Sequence, residues 1–140
     1  MASRVLILCT GNSCRSQMAE GILNHLGTGE FEAFSAGTHP SAVNPLAVQT
    51  MDEIDIDISH HTSKDLEVFG DQKFDYVLTV CDRAKEICPA YPQQTRLIHW
   101  SFDDPAEAEG TVDVRLIEFR RVRDEIQEKL DLFVRSEMKE

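Results

Sequence analysis

The sequence predicts an α/β fold: a doubly wound, four-stranded parallel sheet flanked by helices. Three observations lead there. Apolar runs alternate with stretches of helical spacing, as parallel strands joined by crossover helices require. The first run, Val5-Leu6-Ile7-Leu8, is apolar throughout, as a strand buried on both faces must be. It passes through a short Gly-containing loop into a helical pattern, an arrangement that turns backbone N–H groups toward a bound anion.

Taken in order, Arg4 to Leu8 is the first strand. Met18, Ala19, Ile22, Leu23 and Leu26 recur at helical spacing, with Gly27 as the C-cap. Phe31 to Ala36 alternates and predicts a second strand, and Gly37 to Ser41 a loop. Asn44-Pro45 reads as an N-cap followed by proline at the first helical position, with Leu46, Val48 and Met51 on the buried side. Glu53 to Ile58 fits a short strand and an extended connection equally. Ser59 to Lys64 is a polar loop, and Ser63 is the expected cap of a short helix through Asp65, Leu66 and Phe69. Phe74 to Val80 is the third strand, with Cys81 at its carboxyl end. Asp82 to Cys88 has helical propensity, stopped by Pro89. Arg96 to Trp100 is the fourth strand. From Thr111 onward Val112, Leu116, Phe119, Val122, Ile126, Leu130 and Phe133 step by three or four residues and give one long helix with a core-facing stripe.

A chain of 140 residues fits a single domain, 1–140, and can bury a core without staples. The N-terminus runs straight into a strand with no signal-peptide pattern, and no apolar stretch reaches membrane-spanning length, so the expected address is the cytoplasm. A net charge of −11 disfavours nucleic acid and anionic membrane as partners. It also repels an oxyanion at long range, so any attraction must be local. The cysteines stand at 9, 14, 81 and 88. Structural disulfides are not expected in that compartment, and neither spacing suits zinc. His60 and His61 are adjacent, so their side chains diverge, and they are expected to be loop residues. No metal is expected.

The chemistry concentrates in Cys9-Thr10-Gly11-Asn12-Ser13-Cys14-Arg15-Ser16. A thiolate is the reactive form of cysteine, and a helix N-terminus with a nearby guanidinium favours it. Ser16 can donate to the sulfur, and Arg15 can grip two oxygens of a tetrahedral oxyanion. Gly11 and Asn12 are the residue types that tolerate unusual backbone geometry. The amides from Thr10 to Ser16, Ser13 and Cys14 among them, would complete an oxyanion cradle. The loop lacks the Gly-Lys-Ser/Thr of a nucleotide-binding loop.

Cys81 and Cys88 are seven residues apart, about 10.5 Å along a helix axis, whereas a disulfide needs Cα atoms within about 7 Å. They cannot bridge while the intervening segment is helical. A bridge would therefore require Asp82 to Ile87 to unwind or bulge.

The run CTGNSCRSQMAE, Cys9 to Glu20, resembles the signature of the low-molecular-weight protein tyrosine phosphatases, and more closely that of their relatives, the thioredoxin-coupled arsenate reductases. Val80 to Pro89 resembles the redox segment of those reductases. His99-Trp100-Ser101-Phe102-Asp103-Asp104-Pro105-Ala106 is similar too, although many relatives carry Gly at Ser101. The resemblance implies the low-molecular-weight phosphatase-like fold and reduction of arsenate to arsenite. In that scheme Cys9 attacks arsenic, Asp104 is the general acid, and Cys81 and Cys88 complete a disulfide relay through Cys9–Cys81 and then Cys81–Cys88. No cofactor is implied; thioredoxin supplies the electrons to a monomeric enzyme. Cys14 is expected to be a dispensable packed residue. Some relatives bind potassium with ligands that match Asn12, Glu20 and Ser35, while Lys64 falls where the last acidic ligand stands, so potassium or the lysine ammonium remain alternatives. Phosphotyrosine hydrolysis through a Cys9 phosphoenzyme is the competing reading, and an idle oxyanion-binding module a third. Ala106 stands where the phosphatases usually carry an aromatic residue, and phosphatase chemistry needs no Cys88.

Overall fold

The computed structural model describes residues 2–80 and 94–137. Cys81, Cys88, the expected Asp82 to Cys88 helix and its Pro89 stop lie outside the described residues.

The strands are β1 (Ser3–Cys9), β2 (Phe31–Gly37), β3 (Tyr76–Thr79) and β4 (Arg96–His99). All pairings are parallel, in the order β2-β1-β3-β4. From β1 the chain steps to β2 on one side and later to β3 on the other. The switch of direction therefore falls beside β1, where open α/β sheets leave a crevice at the carboxyl ends. The register sets Cys9 beside Gly37, Leu8 beside Thr79, and Thr79 beside His99. Val5, Leu6, Ile7 and Leu8 are fully buried, as their unbroken apolar run requires.

Among the described residues the α-helices are α1 (Arg15–Leu26), α2 (Pro45–Asp52) and α3 (Val112–Glu137). Asn44 caps α2, its side chain accepting from Leu46 N–H at 2.8 Å, a contact worth about 1 kcal/mol. α1 and α3 pack on one another, and α2 packs on both. Leu116, Phe119, Val122, Ile126 and Leu130 form the buried stripe of α3. Val112 is not part of it: it is 53% exposed, because the helix begins there before reaching the sheet. Arg123 lies buried on α3 and donates to Thr50 O and Glu53 Oε1, tying α2 to α3.

Glu53 to Ile58 is neither a strand nor extended throughout: residues 53–55 form a turn, with Asp55 left-handed at φ 62°, and Ile56 and Ile58 are buried from the irregular stretch that follows. The short helix is a 3-10 turn, Leu66–Phe69, capped by Asp65 and not by Ser63. Ser63 is drawn away because its hydroxyl donates to Gly11 O at 2.9 Å. β3 is shorter than the apolar run suggests. Phe74 precedes it as a buried ring packed edge-on against Phe34 and Phe69.

Candidate active site

Cys9 ends β1, buried at 4% exposure, and α1 starts at Arg15. The loop between them is held from outside by its carbonyls. Thr10 O accepts from His39 N, Gly11 O from Ser41 N and the Ser63 hydroxyl, and Ser13 O from Asn44 N. Asn12 O accepts from the Gln17 amide at 3.0 Å. The peptide bonds of this loop are trans, so each N–H opposes the carbonyl of its own peptide unit. With four successive carbonyls turned outward, the N–H groups of Gly11, Asn12, Ser13 and Cys14 turn to the opposite side, and the first turn of α1 adds its own orphan donors. Such a cradle of N–H groups, at the positive end of a helix, is suited to an anion.

The left-handed conformation falls on Asn12, at φ 48°; Gly11 does not need one. Asn12 is fully buried and its side chain holds the bend. Nδ2 donates to Ser16 Oγ at 2.8 Å and Ser35 Oγ at 2.9 Å, while Oδ1 accepts from Lys64 N and from Gln17 Nε2. Gly37 closes the cradle from β2. A Cβ there would lie 2.5 Å from Thr10 O and 2.9 Å from Asn12 N.

Arg15 leans toward the loop after β4, donating to Phe102 O at 2.9 Å and facing Asp104 Oδ2 at 3.5 Å. Asp104 caps the 3-10 turn Pro105–Glu107 through Ala106 N–H at 3.0 Å. Its neighbour Asp103 is 76% exposed and paired to Arg121 of α3 at 3.1 Å, so only Asp104 joins the cradle. Cys14 is buried, and its Sγ lies 3.5 Å from Asp104 Oδ1. Burial, with the Asp104 charge adding to it, pushes the Cys14 thiol up to about 12, which favours the protonated form.

The sequence profile of the low molecular weight phosphotyrosine protein phosphatase family matches residues 4–140. The chain belongs to that family. Over 132 residues it is 48% identical to the arsenate reductase of Halalkalibacterium halodurans, covering 94% of this chain and 95% of that protein. An arsenate reductase structure in the oxidized state matches with a TM-score of 0.82 at 32% identity, covering 96% of this chain and 98% of the other. A thioredoxin-dependent arsenate reductase of Corynebacterium glutamicum matches at 27% identity and a TM-score of 0.67, covering 94% of this chain and 63% of that one.

This low molecular weight phosphatase family member brings Cys9, Thr10, Gly11, Asn12, Ser13, Cys14, Arg15, Ser16 and Asp104 to one end of its sheet; Cys81 and Cys88 lie outside the described residues. Asn12, Ser35 and Glu20 also come together, Ser35 Oγ donating to Glu20 Oε1. They do not fit a cation as arranged. Asn12 turns its amide N–H₂ to Ser35, and its oxygen is taken by Lys64 N and Gln17. The Lys64 ammonium does not stand in for an ion there either: it donates to Thr62 O at 2.8 Å.

His61 lies in a loop, as expected, and also faces Glu20, with Nε2 3.8 Å from Oε2. Gln17 commits its Nε2 to Asn12 and Thr62, which leaves Oε1 as the acceptor for His61 Nδ1 at 3.0 Å and fixes the ring's proton on Nδ1. Burial lowers the His61 pKa, outweighing the opposite pull of Glu20. Sequence reasoning missed Gln17, Gly37 and His61. Gly37 and His61 act across more than 20 residues of sequence, and Gln17 bonds both Asn12, five residues away, and the distant Thr62 and His61.

Proposed function

We propose that this protein reduces arsenate to arsenite with Cys9 as nucleophile, Cys81 and Cys88 as the further thiols of a relay, and thioredoxin as the reductant. The observation that carries the reading is Cys9 at the floor of an anion cradle in a chain 48% identical to an arsenate reductase. The thioredoxin dependence of one structural relative supports the choice of donor.

Arsenate sits on the amides of the loop, with two oxygens in the Arg15 fork. Ser16 accepts from Asn12, so its own proton can go to the Cys9 sulfur and stabilise the thiolate. Cys9 attacks arsenic, a thiolate–arsenic bond forms, and the departing oxygen leaves as water with the Asp104 proton. Asp104 must carry a proton at that moment, and Arg15, which faces its Oδ2, turns to the oxyanion as it binds. Cys81 then attacks the Cys9 sulfur. The sulfur–arsenic pair passes to arsenic, As(V) becomes As(III), and a Cys9–Cys81 disulfide remains. Cys88 attacks Cys81, releases the Cys9 thiolate and leaves Cys81–Cys88, which the external dithiol reduces with two electrons. The reading takes the chain as one monomeric domain working in the cytoplasm, with no cofactor of its own.

The test is arsenate turnover with thioredoxin, thioredoxin reductase and NADPH, wild type beside Cys88→Ala. Sustained NADPH loss in the wild type and its absence in the variant is the expected result. Hydrolysis of an aryl phosphate at the same rate in both, with no NADPH loss, would establish the phosphatase instead.

A further inference from the structure

The cradle contains one buried group for which that reaction has no use. Cys14 is the N-cap residue of α1, yet its side chain makes no capping bond. The thiol turns instead to a carboxylate 90 residues away, placing Sγ 3.5 Å from Asp104 Oδ1. The same oxygen accepts the Ala106 N–H, while Oδ2 faces Arg15. Oδ1 accepts, so in this pair the thiol is the donor. The groups facing Asp104 are thus Arg15 from α1, the Cys14 thiol from the loop and the Ala106 amide from its own turn.

These contacts differ in what an oxyanion does to them. Arg15 must turn its fork onto the bound oxygens and release Oδ2. The Cys14 S–H and the Ala106 N–H can stay on Oδ1. We propose that Cys14 is a positioning residue for Asp104: it holds one carboxylate oxygen against the cradle so that the other is presented to the departing oxygen. The proposal rests on the reading of Asp104 as the acid in Cys9 chemistry. It turns Cys14 from the packed residue that its size suggests into part of the acid's support. No bond is made or broken at its sulfur, and the backbone amide of residue 14 stays in the cradle whatever the side chain.

Arsenate turnover is measured for the wild type, Cys14→Ala, Cys14→Ser, Asp104→Ala and the Cys14→Ala/Asp104→Ala double variant. Losing one weak hydrogen bond to a charged group should lower kcat about three- to tenfold with KM little changed. Cys14→Ser, whose hydroxyl also donates, should recover most of it. The double variant should be no slower than Asp104→Ala alone, because the thiol acts through the carboxylate. The infrared S–H band of Cys14, isolated by subtracting the Cys14→Ala spectrum, should move to higher frequency in Asp104→Ala.

An unchanged band in Asp104→Ala, wild-type kcat in Cys14→Ala, or independent losses that multiply in the double variant would each overturn the proposal. A wild type that does not turn over arsenate would overturn the reaction itself and the role with it. That failure is told apart because it shows before any variant is compared.

Discussion

His61 Nδ1 lies 3.0 Å from Gln17 Oε1, and through Gln17 the ring is joined to the left-handed residue of the cradle, Asn12. A largely buried imidazole from a distant loop thereby supports the backbone of the cysteine loop. The contact needs a proton on Nδ1, which the neutral tautomer and the charged ring both carry; burial is what disfavours the charged form.

The consequence is a pH dependence of stability. The His61 pKa is lowered in the folded protein, so the unfolded chain, titrating near about 6.5, binds the proton first as pH falls. The stabilisation is whole above that value and is lost as pH drops through it. The Tm measured by calorimetry should fall between about pH 7 and pH 5. His61→Gln, which keeps a neutral donor for Gln17, should flatten this limb. The carboxylates Glu53 and Glu137, both held low mainly by hydrogen bonds, lose their stabilisation only at more acid pH in either protein.

Gly37→Ala should damage the cradle without touching any reacting group. The added Cβ meets backbone, Thr10 O at 2.5 Å and Asn12 N at 2.9 Å, neither of which can swing aside as a side chain would. A loss of about 1–3 kcal/mol in denaturant unfolding is expected. Inorganic phosphate binding, followed by calorimetry, should weaken with it.

Asn12→Ala removes the acceptor for Lys64 N and Gln17 Nε2 and the donor to Ser16 and Ser35. Each buried polar group left unsatisfied costs about 1–3 kcal/mol. A large drop in urea midpoint is expected, and also in Asn12→Gly, which relieves the positive φ but restores none of the hydrogen bonds. Recovery of wild-type stability by glycine would show that backbone conformation alone matters there.

Asp103 and Asp104 are adjacent but should behave oppositely. Asp103→Asn alters an exposed pair with Arg121 and should leave kcat within about twofold, as for other surface pairs. Asp104→Asn removes the acid and should lower kcat about 10²–10⁴-fold, the range of general acid catalysis, in steady-state arsenate turnover.

The sheet, its order of elements and the cysteine loop are legible in the chain because each is written locally. An unbroken apolar strand, helical spacing on either side, and Cys, Arg and Ser at fixed intervals need no knowledge of distant residues. The ends of elements are less legible where two local roles compete. Ser63 has the chemistry of a cap, but the Gly11 carbonyl takes its hydroxyl and leaves the cap to Asp65.

What the sequence determined by itself is the α/β architecture and the spacing of Cys9, Arg15 and Ser16 in one loop; the acid that the proposal uses, Asp104, came with the family resemblance. What only the tertiary structure decided is the support: Gly37 beneath the loop, Gln17 and His61 behind Asn12, and the turn of Cys14 toward Asp104. The reason is physical. Chemistry-bearing residues at short spacing announce themselves, whereas a supporting contact depends on which distant backbone or side chain the parallel register brings within hydrogen-bond reach.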